Sequence, residues 1–193
     1  FDNNIIYWYY ALNLLNNILR NQYKLLIYMK NNKNFKTADL CDLHSDDLVI
    51  MHQQFKSYGK QQSFYGEIST IKCFNDNSKV REAVNSDGCN KVLVVDGNAS
   101  MDCALLGDML AEAAYKNNWS GIIVNGCIRD SDVISGIDIG VFALSTKPVK
   151  SVKKGIGDTN IDISFMNTTF RPGEFLYADQ DGIIISKNEL ELS

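Results

Sequence analysis

Histidine and proline are scarce in this chain of 193 residues, which contains two of each. His44 and His52 are the two histidines, so a zinc site built from several histidines is all but excluded. The five cysteines are odd in number and include no C-x-x-C pair. This pattern is typical of a protein from a reducing compartment whose thiols are buried or idle, and we expect a cytoplasmic location.

Positive charge and long apolar runs are also lacking. The net charge of −4 and the pI near 5.2 argue against a direct nucleic-acid surface. The nearest basic run comprises Lys147, Lys150, Lys153 and Lys154, and we expect it to be a solvated loop. No stretch offers the roughly 20 apolar residues that a membrane span needs. No glycine-rich strand-to-helix fingerprint of a dinucleotide site is present either.

Residues 1–28 are rich in Asn, Ile and Tyr, and their apolar run is interrupted by asparagines and by Arg20. They lack the basic, apolar and small-residue order of a signal peptide. Two interpretations stay open. Either the native start is Met29 and residues 1–28 are translated upstream sequence or an extension, or they form an amphipathic helix that docks on the surface. We expect residues 29–193 to form a single domain.

The central part of the chain predicts a βαβ unit. Residues 91–96 (KVLVVD) and 121–125 (GIIVN) are β-branched runs typical of buried strands, and residues 108–117 between them have a helical pattern. Such a unit has parallel strands and a right-handed crossover. Because open sheets bind ligands beyond the carboxyl ends of their strands, the predicted loops at 97–107 and 126–130 are the expected place for a site.

Shorter elements are predicted on either side of this unit. They are a segment at 37–49 that looks helical at its start, strands at 66–74, 140–145 and 162–166, and a hairpin at 175–186 that turns at Asp179–Gly182. The whole predicts one α/β domain of layered sheets and helices.

Two short stretches at the predicted loop ends combine groups that bind anions and metals. A helix that starts near Gly107 presents free N–H groups at Asp108, Met109 and Leu110, which favour a carboxylate or phosphate. Twenty residues separate Asp108 from Arg129, whose guanidinium can hold a carboxylate through two parallel bonds. Asp130 is a hard oxygen ligand of the kind that Mg²⁺ or Mn²⁺ takes together with waters.

Such a site suits a 2-oxo acid. The metal would chelate the carboxylate and the 2-oxo oxygen, and Arg129 would balance negative charge on that oxygen. Breaking the C3–C4 bond leaves a pyruvate enolate that both groups stabilise, and Asp108 could orient a water or move a proton. The alternative is purely structural: Gly107–Asp108 would cap a helix, and Arg129–Asp130 would be a surface ion pair worth under about 1 kcal/mol.

From about Thr37 to Glu189 the chain resembles the family of the regulator of ribonuclease activity A (RraA), which includes the 4-hydroxy-4-methyl-2-oxoglutarate aldolases. The segments that carry the resemblance are TADLCDLHSDD (37–47), GEISTIKCFNDN (66–77), KVLVVDG (91–97), ALLGDMLAEAAYKNNWSGIIVNGCIRD (104–130), DIGVFAL (138–144), GIGD (155–158) and LYADQDGIIIS (176–186). The resemblance implies a swivelling β/β/α sandwich and ring-shaped homotrimers, sometimes paired into hexamers.

In the aldolase branch, an Asp followed by Arg-Asp twenty residues later is the active-site signature. The resemblance therefore assigns the substrate carboxylate to Gly107–Leu110, substrate contact to Arg129, the metal to Asp130, and water positioning or proton transfer to Asp108. It implies a metal-dependent (class II type) aldolase that uses Mg²⁺ or Mn²⁺ and decarboxylates oxaloacetate as a side activity. A methyltransferase label has also been attached to this family, but the sequence contains no glycine-rich cofactor fingerprint that would support it.

The other branch of the family implies a different role, that of a non-catalytic inhibitor that binds a ribonuclease E-type endoribonuclease. Its members can lack the second Asp of the signature, the one that directly follows Arg. This chain keeps that residue as Asp130. Two positions depart from the aldolase pattern. Val133 stands where a further acidic residue is common, next to Asp132, and residues 98–102 are less glycine-rich and less basic than usual.

Overall fold

The computed structural model describes Trp8, Leu15, residues 35–52 and residues 55–192. The chain divides into two compact units, Phe1–Asn34 and Phe35–Ser193. In the first unit only Trp8 and Leu15 are described, and both are helical and exposed. The predicted boundary between residues 28 and 29 lies outside the described residues. Within the described part of the chain, no helix is both long and apolar enough to cross a membrane.

The second unit is a mixed α/β structure with one large sheet. Its helices are α1 (Thr37–His44), α2 (Ser78–Val84), α3 (Asp108–Lys116) and α4 (Ser131–Ile134), and a 3₁₀ turn covers Ser45–Asp47. Its strands are β1 (Leu48–Ile50), β2 (Lys56–Ser57), β3 (Phe64–Lys72), β4 (Val92–Leu106), β5 (Gly121–Ile128), β6 (Gly140–Thr146), β7 (Asp158–Thr159), β8 (Ile163–Phe165), β9 (Thr168–Phe170), β10 (Phe175–Ala178) and β11 (Ile183–Ser186).

The described strands of the large sheet run in the order β1-β11-β10-β3-β4-β5-β6-β2, and β7 also pairs with β3. Strands β3, β4, β5 and β6 are parallel neighbours, whereas β10, β11, β1 and β2 join antiparallel. The predicted βαβ unit is therefore confirmed as β4-α3-β5. The predicted hairpin at 175–186 is also confirmed, since β10 and β11 pair and Asp179 N–H donates to the Gly182 carbonyl.

The alternation of residues along β4 sorts side chains into two cores. Leu93 and Val95 pack on one side with residues of α2 and α3, including Val80 and Leu110. Val92 and Val94 pack on the other side with β10 and β11 residues such as Leu176. Because both faces are covered, this strand is apolar almost throughout its first half, as the sequence indicated.

Two further contacts fix the layers. Phe64 packs directly on the backbone of Gly121 and Gly140, where an added Cβ would lie 2.2 Å and 2.0 Å from its ring. Tyr65 and Tyr177 stack at a centroid distance of 5.5 Å in a third core that also includes Leu40 of α1. Glycine is thus required at these two positions of β5 and β6, because the Phe64 ring fills the space that a side chain would take.

The structure differs from the sequence predictions in three places. Residues 37–49 are helical at their start, as predicted, from Thr37 to His44, but residues 48–50 form the unpredicted strand β1, in which Val49 and Ile50 pair with β11. The predicted loop at 97–107 belongs largely to β4, which continues to Leu106 through irregular pairing, with Asn98 and Ala99 at φ of 54° and 53°. The short strand β2 was not predicted.

All five cysteines are free. Burial raises the pKa of the Cys73 thiol to about 12, and burial also raises the pKa of Cys103 and Cys127. These three thiols are therefore protonated at neutral pH and serve as apolar filling, in line with the expectation of buried or idle cysteines.

Candidate active site

The ends of β4 and β5 bring the two predicted stretches together. Leu106 pairs with Ile128, and Arg129 N–H donates to the Leu106 carbonyl at 2.9 Å. Gly107 and Arg129 therefore leave the sheet side by side, at the carboxyl edge where parallel sheets bind ligands. The predicted sites are confirmed as neighbours, although they follow longer strands than expected.

Gly107 gives the site its close packing. Its φ of −135° is ordinary extended backbone, so the glycine is not required for conformation. A Cβ at this position would lie 3.0 Å from Asp130 Oδ2 and 3.2 Å from Arg129 Nε. The missing side chain thus lets both functional groups rest against the backbone at the start of α3.

Arg129 and Asp130 form an ion pair, with 3.2 Å between Nε and Oδ2. Each side chain is 39% exposed, so the pair lies at the mouth of the site and not in the core. Asp130 adopts the left-handed conformation, with φ of 56°, immediately before α4. Asp tolerates this conformation better than most residues, and it turns the carboxylate back toward the arginine beside it.

The first turn of α3 is partly occupied by its own groups. Met109 N–H donates to Asp108 Oδ1 at 2.7 Å, and Leu110 N–H donates to the Gly107 carbonyl at 3.1 Å. An incoming carboxylate therefore competes with the Asp108 side chain for the Met109 N–H group. The sequence prediction treated all of these N–H groups as free. The spacing of residues does not show that the Asp108 side chain bonds to the first turn of its own helix.

A cleft of about 90 Å³ opens beside this turn. Its lining residues are Asn77, Arg81, Ala104, Leu106, Gly107, Asp108, Met109, Leu110, Arg129, Lys150, Ser151 and Lys153. Five of the six predicted site residues thus share one cleft. Asp130 does not line the cleft itself, but it forms an ion pair with Arg129, which does line it.

The cleft also contains cationic residues that the sequence analysis missed. Arg81 comes from α2, and Lys150 and Lys153 come from the segment after β6. Lys150 and Lys153 are exposed, as predicted for a solvated loop, but both line the cleft. Four cationic side chains and one carboxylate, Asp108, line this one cleft of an acidic protein, which therefore favours an anion with more than one charge.

The segment that bears Lys150, Ser151 and Lys153 is held in place from both sides. Ala104 N–H donates to the Val149 carbonyl at 2.8 Å, and Val152 N–H donates to the Asn75 carbonyl at 3.2 Å. The buried Asp76 carboxylate accepts further bonds from Ser78, Lys154 and Ile156.

The pKa of the Asp76 carboxyl reflects these contacts. Burial alone would raise it, but the hydrogen bonds from Ser78, Ile156 and Lys154 outweigh burial and lower it well below the ordinary range. Asp76 is therefore a permanent anion at neutral pH that ties the cationic segment to the start of α2.

The donor set at this site suits a hard divalent cation. Across the described residues, no three Asp, Glu, His or Cys side chains cluster to form a metal cage. Asp130 offers one carboxylate at a solvent-exposed position, and among these residues only Arg129 pairs with it. Mg²⁺ or Mn²⁺ held by one carboxylate, waters and substrate oxygens fits this arrangement, whereas a structural zinc site does not.

Comparison with known proteins assigns the chain to a family. A model of the RraA-like family (Aldolase/RraA) matches residues 37–185. A protein of Pseudomonas putida (strain W619) named "Putative 4-hydroxy-4-methyl-2-oxoglutarate aldolase" is 51% identical over 160 residues, which are 83% of this chain and 98% of the relative. A protein of the same name from Pseudomonas aeruginosa (strain LESB58) is 54% identical over 158 residues, or 82% and 98% of the two chains.

Solved structures agree with this assignment. A Geobacillus kaustophilus HTA426 protein described as an S-adenosylmethionine:2-dimethylmenaquinone methyltransferase is 44% identical, with a TM-score of 0.79 over 81% of this chain and 97% of that one. The RNA-processing inhibitor RraA of Thermus thermophilus is 35% identical, with a TM-score of 0.79 over 82% and 96%. The chain thus belongs to the RraA-like family, whose members include aldolases and RraA proteins.

Proposed function

We propose that this protein is a divalent-metal-dependent lyase that cleaves 4-hydroxy-4-methyl-2-oxoglutarate to two pyruvates and decarboxylates oxaloacetate as a side activity. The observation that carries this proposal is the meeting of Asp108 and Arg129 in one cationic cleft, with the Asp130 carboxylate 3.2 Å from the guanidinium. Relatives about half identical in sequence carry the aldolase name.

The chain's own residues would bind the 2-oxo acid end of the substrate. The start of α3 offers N–H groups to the 1-carboxylate, and Asp108 gives up its bond to Met109 N–H when the carboxylate arrives. Arg129 donates to the 2-oxo oxygen, where charge develops during the reaction. Its guanidinium is oriented in advance by Asp130, so little reorganisation is needed at the moment of bond breaking.

The reaction breaks the C3–C4 bond of the substrate. The 4-hydroxyl loses its proton to a base, C4 becomes the carbonyl carbon of one pyruvate, and the bonding electrons pass into C3 and the 2-oxo oxygen as an enolate. Protonation of C3 then yields the second pyruvate. Asp108 is the carboxylate in the cleft that can move these protons, directly or through a water.

Asp130 would hold the metal, and a Mg²⁺ or Mn²⁺ ion bound there supplies electrophilic stabilisation of the negative charge. Oxaloacetate, which loses CO₂ from C4, leaves the same enolate of pyruvate. The side activity therefore needs no additional residue from this chain.

The experiment is a coupled assay of pyruvate release from 4-hydroxy-4-methyl-2-oxoglutarate and from oxaloacetate, with Mg²⁺, Mn²⁺ or a chelator. We expect wild-type protein to exceed the metal-only rate, and Asp130→Ala and Arg129→Ala to abolish the difference. Asp138→Ala is the matched control, because Asp138 is also 39% exposed and lies 3.9 Å from one cation, Lys60. A wild-type rate equal to that of metal alone would overturn the proposal.

A second function is favoured by the likeness to the Thermus RNA-processing inhibitor. We propose as the alternative that the protein binds and inhibits a ribonuclease E-type endoribonuclease without catalysis. The acidic pI of about 5.2 suits contact with a basic, RNA-binding partner region. An inhibition assay with the purified endoribonuclease tests this, and the absence of both binding and inhibition at micromolar protein would refute it.

We also propose that the protein has a swivelling β/β/α fold and assembles as a homotrimer, or as a hexamer of two paired trimers. Large apolar side chains near the cleft are exposed in the single chain, among them Met109 at 75% and Val133 at 55%. Surfaces of this kind are often covered by a second copy. Light scattering after size-exclusion chromatography should give three or six times the chain mass of 21.7 kDa, and a monomer would contradict the proposal.

A further inference from the structure

A group of sulfur atoms lies where β4 and β5 pair irregularly. The Cys127 thiol of β5 donates to the Met101 thioether of β4, with 3.2 Å between Sγ and Sδ. A second thiol, Cys103, lies two residues after Met101 on β4, and its neighbour Ala104 pairs with Cys127 across the ladder. None of the three sulfur residues lines the cleft described above. One thioether and two thiols therefore form a separate cluster in the sheet.

The two thiols of this cluster interact electrostatically. Burial chiefly raises the pKa of the Cys103 thiol, and negative charge on Asp102 and on Cys127 raises it further. Burial also raises the pKa of the Cys127 thiol. Both thiols are therefore protonated when nothing is bound, and a cation that binds both sulfur atoms would cancel the repulsion between their thiolates.

Met101 provides a path from solvent to the buried thiols. Cys127 is 1% exposed and Cys103 is 6% exposed, whereas Met101 is 46% exposed. The methionine side chain is unbranched and adapts its shape easily. A cation that first binds the Met101 thioether at the surface therefore needs only a short step to reach Cys127 Sγ.

Asn75 holds the segment that bears Met101 and Cys103. Its Oδ1 accepts from Ser100 Oγ at 2.6 Å and from Cys103 Sγ at 3.4 Å, and its Nδ2 donates to Asp102 Oδ2 at 3.2 Å. The backbone on both sides of Met101 is thus fixed before any ligand arrives. The bond from Cys103 is weak, because a thiol is a poor donor, so binding of a cation to this sulfur sacrifices little.

The chemistry of these donors selects a soft cation. Thiolates and thioethers prefer Cu(I), whereas carboxylates, carbonyls and water suit Mg²⁺ and Mn²⁺. A structural zinc site takes four protein ligands, and within the described ranges no three Asp, Glu, His or Cys side chains lie together as candidates for one. Two thiolates and one thioether match the low coordination number that Cu(I) accepts.

We propose that Met101, Cys103 and Cys127 form a binding site for Cu(I), separate from the hard-metal position at Asp130. Each thiol releases its proton to solvent as its sulfur binds the ion, and the thioether binds as a neutral ligand. No electron is transferred, and the ion remains Cu(I). The site does not depend on the lyase reaction, so it goes beyond the proposed function.

The test is an anaerobic competition titration of the full chain with Cu(I) and a chromophoric Cu(I) chelator, with ascorbate as the reductant. We expect wild-type protein to take one Cu(I) from the chelator and to develop a near-ultraviolet thiolate-to-copper charge-transfer band. The affinity should rise with pH, because binding releases protons. Met101→Leu, Cys103→Ser and Cys127→Ser should each lower the affinity roughly tenfold or more.

Two variants serve as matched controls. Cys89→Ser removes an exposed thiol elsewhere, and Met166→Leu removes a partly buried thioether that packs on another core. Both should bind Cu(I) as wild type does. Met101→Leu also controls for folding, because leucine replaces a half-exposed methionine with an apolar side chain of similar volume, so the melting temperature should not change.

The outcomes are independent of catalysis. Lower affinity in the three cluster variants, with none in Cys89→Ser or Met166→Leu, supports the site, and excess Mg²⁺ should not displace the bound ion. Failure of wild-type protein to take Cu(I) from the chelator would overturn the proposal. Equal affinity of Met101→Leu and wild type, or displacement of the ion by Mg²⁺, would overturn it as well.

Discussion

Arg129 Nε lies 3.2 Å from Asp130 Oδ2, in the two residues that directly follow the end of β5 at Ile128. The pair forms because Asp130 leaves β5 in the left-handed conformation, with φ of 56°. One residue would bind the metal and its neighbour the oxygen that gains charge. The local backbone therefore sets the spacing between the two groups, and small changes around it should alter chemistry more than stability.

Gly107→Ala tests this dependence on spacing. The new Cβ would lie 3.0 Å from Asp130 Oδ2 and 3.2 Å from Arg129 Nε, so the ion pair must shift by a few tenths of an ångström. We expect kcat/KM for pyruvate release to fall roughly tenfold to a hundredfold. The melting temperature should change little, since the backbone at Gly107 suits any residue.

Gly182→Ala is the control for Gly107→Ala, because a Cβ at that turn would meet nothing within 4 Å. Its activity should equal that of wild type. If Gly107→Ala keeps full activity, the close packing at this position has no role in the reaction.

Arg129→Lys keeps the positive charge but loses the fork of donors that holds Asp130 and the substrate oxygen together. We expect kcat and kcat/KM to fall together by about tenfold or more, as for an interaction that strengthens in the transition state. Steady-state kinetics of oxaloacetate decarboxylation measures this. Arg171→Lys, at an exposed arginine paired with Asp162, provides the comparison, and equal effects of the two changes would count against a role for Arg129.

Asp76 should make the protein sensitive to acid. Its carboxyl has a lower pKa in the folded chain than in the unfolded chain, where the value is about 3.9. Its contribution to the free energy of unfolding is therefore complete above about pH 4 and is lost as the pH falls below that value. Asp76→Asn should cost about 1–2 kcal/mol at pH 7, and less at pH 3, in urea unfolding monitored by circular dichroism.

Asp181→Asn, at an exposed aspartate of the β10–β11 turn, is the reference for the change in charge. It should alter stability little at either pH. If Asp76→Asn lowers the free energy of unfolding as much at pH 3 as at pH 7, the charge of the carboxylate is not what holds the segment after β6 in place.

The sequence was sufficient for the half of the site that lies within one βαβ unit. Asp108 and Arg129 are separated by one helix and one strand, and such a unit returns the chain to the same sheet edge by construction. The continuous β-branched run at 91–96 likewise predicted a strand buried on both faces.

The cleft residues outside this unit could not be predicted in this way. Arg81 and Ser151 are distant in sequence from each other and from Asp108, and they meet only because Asn75, Asp76 and Ala104 bind the segment after β6. Exposed lysines without a periodic pattern look the same in a sequence whether they border a cleft or open solvent. That the Ser151 hydroxyl has no hydrogen-bond partner among the described residues is known only once its neighbours are placed.

The central claim is that this site stabilises the enolate of pyruvate. Exchange of the C3 protons of pyruvate with D₂O, followed by proton NMR, measures formation of that enolate without the aldol step. We predict that wild-type protein with Mg²⁺ or Mn²⁺ raises the exchange rate well above that of metal alone. The Asp138→Ala variant should do the same, whereas Asp130→Ala and Arg129→Ala should leave the rate at that of metal alone. Exchange by the wild-type protein no faster than with metal alone would contradict the account.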